Sequence, residues 1–61
     1  MRTKAEFIRY CQTHALKSDN AEALRDEALE IARAERMGID EFGEMLDAVA
    51  VGERLWEVTT A

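Results

Sequence analysis

The sequence contains no proline, only three glycines, one cysteine and one histidine in 61 residues. The absence of proline and the scarcity of glycine leave few interruptions to helix, and the strong helix formers Ala, Glu, Leu and Arg are abundant. The single cysteine, Cys11, excludes an internal disulfide, and the single histidine, His14, argues against a Cys/His zinc site. We therefore predict an all-α protein with no metal and no cofactor.

Long apolar runs are also absent. No run approaches the roughly 18 residues that a bilayer-spanning helix needs, and the first ten residues lack the apolar core of a signal peptide. Apolar residues still make up 48% of the chain, which is too many for a disordered protein. We expect one soluble, cytoplasmic domain over residues 1–61, with residues 59–61 frayed and no membrane contact. Because so small a domain has a small core, self-association would reinforce it.

Charge of one sign is concentrated in one part of the chain. Residues 1–18 hold four basic residues and one acidic residue, whereas residues 19–61 hold four arginines and twelve acidic residues. The net charge is −5, and an acidic surface does not favour non-specific binding to nucleic acid. A basic patch on the first segment remains an alternative.

Start and stop signals predict a small three-helix bundle, with helices at about residues 3–17, 20–37 and 40–57. Thr3 and Glu6 fit a capping box at the first helix, and Asp19 with Glu22 fits a similar cap at the second. Gly38 is predicted to end the second helix in a left-handed conformation.

The third helix carries two apolar faces. Val51, Leu55 and Val58 are spaced i, i+4, i+7 and form a second stripe, roughly opposite the main apolar face to which Trp56 belongs. A helix of a lone domain should be apolar on one side only. We therefore predict a partner-binding or homodimer interface formed by the stripe together with Trp56. Gly52 leaves two alternatives: another backbone approaches there, or the helix breaks and turns the stripe inward. We favour one continuous or kinked helix.

No group of residues marks a catalytic site. Cys11 and His14 share the apolar face of the first helix. Cys11 is interpreted as a small buried apolar residue and His14 as a packed or edge histidine, since neither has a partner that would activate it. Glu35 and Glu53 fall within apolar arcs and are expected where the core opens to water. We therefore expect that the protein is not an enzyme.

Residues 34–39 resemble the turn of helix-turn-helix DNA-binding proteins. In that family the third helix would enter the DNA groove, but here its first turn carries Asp40, Glu41 and Glu44, and base edges and phosphates mostly require donors. We interpret the segment as an ordinary helix–Gly–helix connection in which Ile39 folds back over the end of the second helix.

The second helix offers another candidate surface. Glu22, Asp26 and Glu30 lie on its outer face, either as a solvated surface or as an acidic docking face. The favoured function is a small regulatory or inhibitory protein that binds another protein through a helix face. The alternatives are a DNA-binding regulator that uses the basic first helix, and a structural self-assembling module. In size and charge the chain resembles accessory proteins of phages and plasmids.

Overall fold

The computed structural model describes residues 2–60 and confirms the predicted three-helix bundle. The helices are α1 (Lys4–Thr13), α2 (Ser18–Ala34) and α3 (Ile39–Thr60). Both α1 and α2 pack against α3, and they touch each other little. Within residues 2–60, no helix combines the length and the apolar character required to cross a membrane.

The direction of α1 follows from two contacts with α3. Near the start of both helices, the Lys4 ammonium lies 2.5 Å from a carboxylate oxygen of Glu44. Just beyond the end of α1, the backbone N–H of Leu16 donates to the carbonyl of Gly52 over 2.9 Å. The two helices therefore run in the same direction, and α2, which connects them in the chain, runs in the opposite one.

The core is formed by one apolar face of each helix and by Leu16 in the loop between α1 and α2. Its largest fully buried side chains are Phe7, Ile31, Met45 and Val49. Several of the remaining buried residues are alanines, whose small side chains allow helices to pack closely. The other buried apolar residues are Cys11, Leu16, Ala21, Leu24, Ala28, Ala32 and Ala48.

The first helix begins as predicted but ends four residues early, at Thr13 instead of residue 17. At its start, the Thr3 hydroxyl accepts from the Glu6 N–H over 3.2 Å and the Glu6 carboxylate accepts from the Thr3 N–H over 2.9 Å. At its end, His14 is already extended. The chain leaves the helix here because Leu16, only 3% exposed, must reach the core beside Gly52.

The predicted cap of α2 is wrong. The helix begins at Ser18, Lys17 is the N-cap residue, and no side chain caps the helix. The Asp19 carboxylate instead accepts from the neighbouring N–H of Asn20 over 2.9 Å. Because α2 starts before Asp19, that residue lies inside the first turn, and the predicted pairing with Glu22 has no free helix end to cap.

The predicted end of α2 is also wrong, since the helix stops at Ala34 and the left-handed residue is Arg36, with φ 53°, not Gly38. The Arg36 N–H donates to the carbonyl of Arg33 over 3.3 Å, and the Met37 N–H donates to the carbonyl of Ala32 over 2.9 Å. This pair of bonds is a Schellman motif, which satisfies carbonyls that the helix end leaves free.

The third helix is continuous through Gly52, as favoured from the sequence, and the alternative of a break there is wrong. It begins at Ile39 and extends to Thr60, so it is longer than the predicted 40–57. The hydroxyl groups of Thr59 and Thr60 donate to carbonyls one turn earlier. Residue 61 lies outside the described residues, and fraying of the end stays a prediction.

Candidate protein-binding surfaces

The three apolar residues predicted to form a second stripe are exposed on α3. Val51 is 40% exposed, Leu55 39% and Val58 79%. We call these three residues the α3 stripe. They remain uncovered because α3 is apolar over a wider arc than α1 and α2 together can cover. Beyond Trp56, every described side chain of α3 is exposed, so the last turn stands clear of the bundle.

Trp56 does not share the surface of the α3 stripe. It is partly buried, and the Lys17 ammonium lies 5.9 Å from the centre of its ring. Lys17 belongs to the loop between α1 and α2, and successive helical residues are about 100° apart around the axis. Trp56 therefore faces the bundle while Leu55 beside it faces outward. Trp56 thus lies beside the loop between α1 and α2.

The α3 stripe continues the spacing of a helix-packing seam. Ala48, at 3% exposure, is the buried residue at its edge, and Val51, Leu55 and Val58 follow at intervals of three, four and three. This alternation is the one by which apolar residues stay on the contact side of two paired helices. The stripe spans about 10 Å along the axis, since seven residues each rise 1.5 Å.

The acidic face of α2 is exposed as predicted, with Glu22, Asp26 and Glu30 all outside the core. Next to it, Glu27 is held by Arg2, whose Nη1 lies 2.6 and 2.8 Å from the two carboxylate oxygens. The hydrogen bond to Glu27 raises the pKa of Arg2 above its usual value. Part of the acidic surface is thus neutralised from within.

The basic first segment is also engaged inside the molecule. In addition to the pair between Arg2 and Glu27, Lys4 contacts the carboxylates of Glu44 and, at 3.9 Å, Glu41. The hydrogen bond to Glu44 raises the pKa of Lys4. These cations bind α1 to the two acidic helices and offer less positive charge to an outside ligand than the sequence suggests.

Cys11 is fully buried, and burial raises the pKa of its thiol, so the group stays protonated and packs as a small apolar side chain. His14 is exposed at the end of α1. Its ring stacks on Tyr10 with centroids 4.1 Å apart, and its Nδ1 lies 2.9 Å from the Tyr10 carbonyl oxygen. Residues 2–60 contain no cluster of His, Cys, Asp or Glu arranged for a metal ion.

The two unusual glutamates lie where the bundle meets water, as expected. Glu35 is exposed and is the C-cap residue of α2. Glu53 is partly exposed, and one of its carboxylate oxygens accepts from Arg25 over 3.0 Å. Neither is a lone buried carboxylate.

A further apolar surface at the connection between α2 and α3 was not predicted. Ile39 was expected to fold back over α2, but it is 84% exposed, so that expectation is wrong. Met37 takes the packing position instead, because it follows the left-handed residue of the Schellman motif. The exposed Ile39 opens a groove between α2 and α3. A sequence signal for this groove was Leu29, which lies at the edge of the apolar face of α2.

This groove has a volume of about 330 Å³. We call it the turn groove. Its lining combines apolar side chains from both helices with two arginines. The residues are Leu29, Ala32, Arg33, Arg36, Met37, Gly38, Ile39 and Phe42.

The sequence matches no known protein family, and comparisons with curated proteins and with solved structures find no similar protein.

Proposed function

We propose that this protein is a small, non-enzymatic binding protein with a regulatory or inhibitory role, and that it works as a homodimer paired through the α3 stripe. The observation that carries the proposal is the exposure of Val51, Leu55 and Val58 on an unbroken helix. Three large apolar side chains on one uncovered helix face are typical of a surface that another protein covers.

The spacing of the stripe supports a helix as the occupant, and a second copy of the chain supplies a matching one. In an antiparallel arrangement, Val51 of each copy lies opposite Leu55 of the other, and Val58 reaches the edge formed by Ala48. Such a two-fold contact uses the same patch twice and closes without open ends. It also covers apolar surface that a 61-residue bundle cannot cover by itself.

The salt dependence of the dimer follows from its charge. Each copy carries a net charge of −5, so two copies repel one another while their apolar stripes attract. Added salt screens the repulsion, since the Debye length falls from about 10 Å at 0.1 M to about 3 Å at 1 M. We therefore expect the dimer to strengthen as sodium chloride is raised.

Sedimentation equilibrium tests the proposal over a wide range of protein concentration. We expect mass to rise from monomer to dimer, and Leu55→Asp to remain monomeric because it places a carboxylate in the seam. The matched control is Leu29→Asp, since Leu29 has nearly the same exposure, 37% against 39%, but lies in the turn groove. A wild-type protein that stays monomeric, or equal effects of the two variants, would contradict the dimer.

The proposed regulatory role requires a second protein, and a different result identifies each alternative function. A DNA-binding regulator would give gel shifts that weaken with salt and depend on Arg2, Lys4 and Arg9. The engagement of Arg2 and Lys4 with carboxylates disfavours that result. A purely structural module would form the dimer and retain no other protein in a pull-down from its host.

A further inference from the structure

The turn groove differs from the α3 stripe in shape and in charge. It is a concave surface between two helices, and its most exposed apolar residue, Ile39, is 84% exposed. Leu29, Met37 and Phe42 contribute the rest of its large apolar lining. Grooves of this kind, lined by side chains from two adjacent helices, accept the apolar face of an amphipathic helix.

Two arginines give the turn groove a positive rim on an otherwise acidic protein. Arg33 and Arg36 both line it and are exposed. Among residues 2–60 neither forms an ion pair, whereas Arg2, Lys4 and Arg25 each do. Glu35 and Asp40 belong to the same connection but do not line the groove.

The backbone at Arg36 supports a role for its side chain. Its φ of 53° lies in the left-handed region, which favours glycine and is strained for a residue with a β-carbon. Gly38, two residues later, does not adopt a positive φ. An arginine therefore occupies the position where glycine would stabilise the helix end, which points to a use for its guanidinium outside the fold.

We propose that the turn groove binds an acidic amphipathic helix from another protein. The apolar side chains of the bound helix enter between Leu29, Met37 and Ile39. Carboxylates on the flanks of that helix accept hydrogen bonds from Arg33 and Arg36. Arginine suits this purpose because its planar guanidinium donates two parallel hydrogen bonds to one carboxylate. The inference is independent of the dimer, since it uses a different surface.

The experiment uses two designed helical peptides as probes. Both carry leucines at i, i+4 and i+7 on one face; the first has glutamates on either side of that face and the second has lysines there. Each is titrated into the full-length, ¹⁵N-labelled protein, and binding is followed by peptide fluorescence anisotropy and by amide chemical shifts. We expect the acidic peptide to bind and to shift the amide signals of Leu29, Met37, Ile39 and Phe42. Its affinity should fall as the salt concentration is raised.

A charge-reversed pair of variants tests the arginines. Replacing Arg33 and Arg36 together by glutamate should lower the affinity for the acidic peptide by roughly tenfold or more, since two exposed attractions become two repulsions. The matched control replaces Arg9 and Arg54 by glutamate, which changes the net charge equally at two exposed positions outside the groove. That control should bind the acidic peptide nearly as tightly as the wild type.

Several results would overturn the proposal. They are an acidic peptide that does not bind at millimolar concentration, equal binding of both peptides, and equal losses in the two double variants. Concentration-dependent shifts of the groove amides without any peptide would assign the turn groove to a second copy of the chain instead. Leu55→Asp, which tests the dimer, should leave peptide binding unchanged, so the two proposals fail separately.

Discussion

Two regions along α3 differ in how closely the rest of the chain packs against them. At Gly52 the packing is closed: a β-carbon built on this glycine would lie 2.6 Å from Cγ of Leu16 and 2.9 Å from the carbonyl oxygen of Cys11. At the start of α3, a β-carbon built on Gly38 or Gly43 would have no such atom within 4 Å. The first region has no room for one more carbon, and the second is open at both glycines.

This difference separates the residues that hold the fold together from those that are free to bind. In the closed region the backbone of the loop after α1 donates directly to α3, through the Leu16 N–H and the Gly52 carbonyl. The open region includes the connection that precedes α3, and there Ile39 and the two arginines of the turn groove are exposed. Shortening a side chain should therefore destabilise the fold in the first region and affect mainly binding in the second.

The largest expected effect comes from shortening Leu16. Leu16→Ala should destabilise the protein by about 2–4 kcal/mol, since removing most of a buried leucine loses its transfer free energy and leaves a cavity. Ile39→Ala, which removes a side chain that is 84% exposed, should change stability by less than about 0.5 kcal/mol. Urea denaturation followed by circular dichroism measures both. Equal losses would remove the distinction between the two regions.

The next effect reverses sign between two glycines of the same helix. Gly52→Ala should destabilise by about 1–3 kcal/mol, because Leu16 and the backbone of Cys11 must move. Gly43→Ala should stabilise by up to about 1 kcal/mol, because alanine is the better helix former and has open space there. Thermal unfolding of the two variants side by side measures this contrast, and stabilisation by both would show that the contact at Gly52 is looser than described.

The open region contains one strained position, and relieving it should raise stability. Arg36→Gly should stabilise by about 1 kcal/mol, or roughly 4–8 °C in Tm for a domain of this size, because glycine adopts a positive φ without strain. Arg36→Ala, which removes the same side chain but keeps the β-carbon, should show no such gain. If Arg36→Gly also weakens binding of the acidic peptide, the arginine has been retained for binding at the expense of stability. A gain in both variants would locate the strain in the side chain instead of the backbone.

The same contrast explains how far the sequence predicts this molecule. Helix number, the capping box at Thr3 and the continuity of α3 follow from local signals: composition, an oxygen acceptor three residues before a glutamate, and a strong apolar pattern around Gly52. The early end of α1 does not, since Leu16 leaves the helix to fill space beside Gly52, and no local pattern marks that space.

The candidate surfaces divide in the same way. The α3 stripe was predicted because its residues all belong to one helix, so their spacing can be read from the sequence. The turn groove was not, because it forms only when residues from two helices meet around a turn whose geometry was predicted wrongly. Because the left-handed residue was expected at Gly38 instead of Arg36, Ile39 was expected to fold back over the end of α2, whereas it lies on the surface.

The smallest expected effect concerns the start of α1, which belongs to neither region. The hydrogen bond that the Glu6 carboxylate accepts from the Thr3 N–H lowers the pKa of that carboxyl. A carboxyl whose pKa is lower in the folded state than in the unfolded state stabilises the fold above its ordinary pKa, and this contribution is lost as the pH falls through the lower folded value. Glu6→Gln keeps an oxygen for the capping box but does not titrate. The stability advantage of the wild type over this variant should therefore be greatest near neutral pH and should shrink on acidification, as measured by urea denaturation at a series of pH values. An advantage that grows in acid would mean that the carboxylate does not hold the Thr3 N–H in solution.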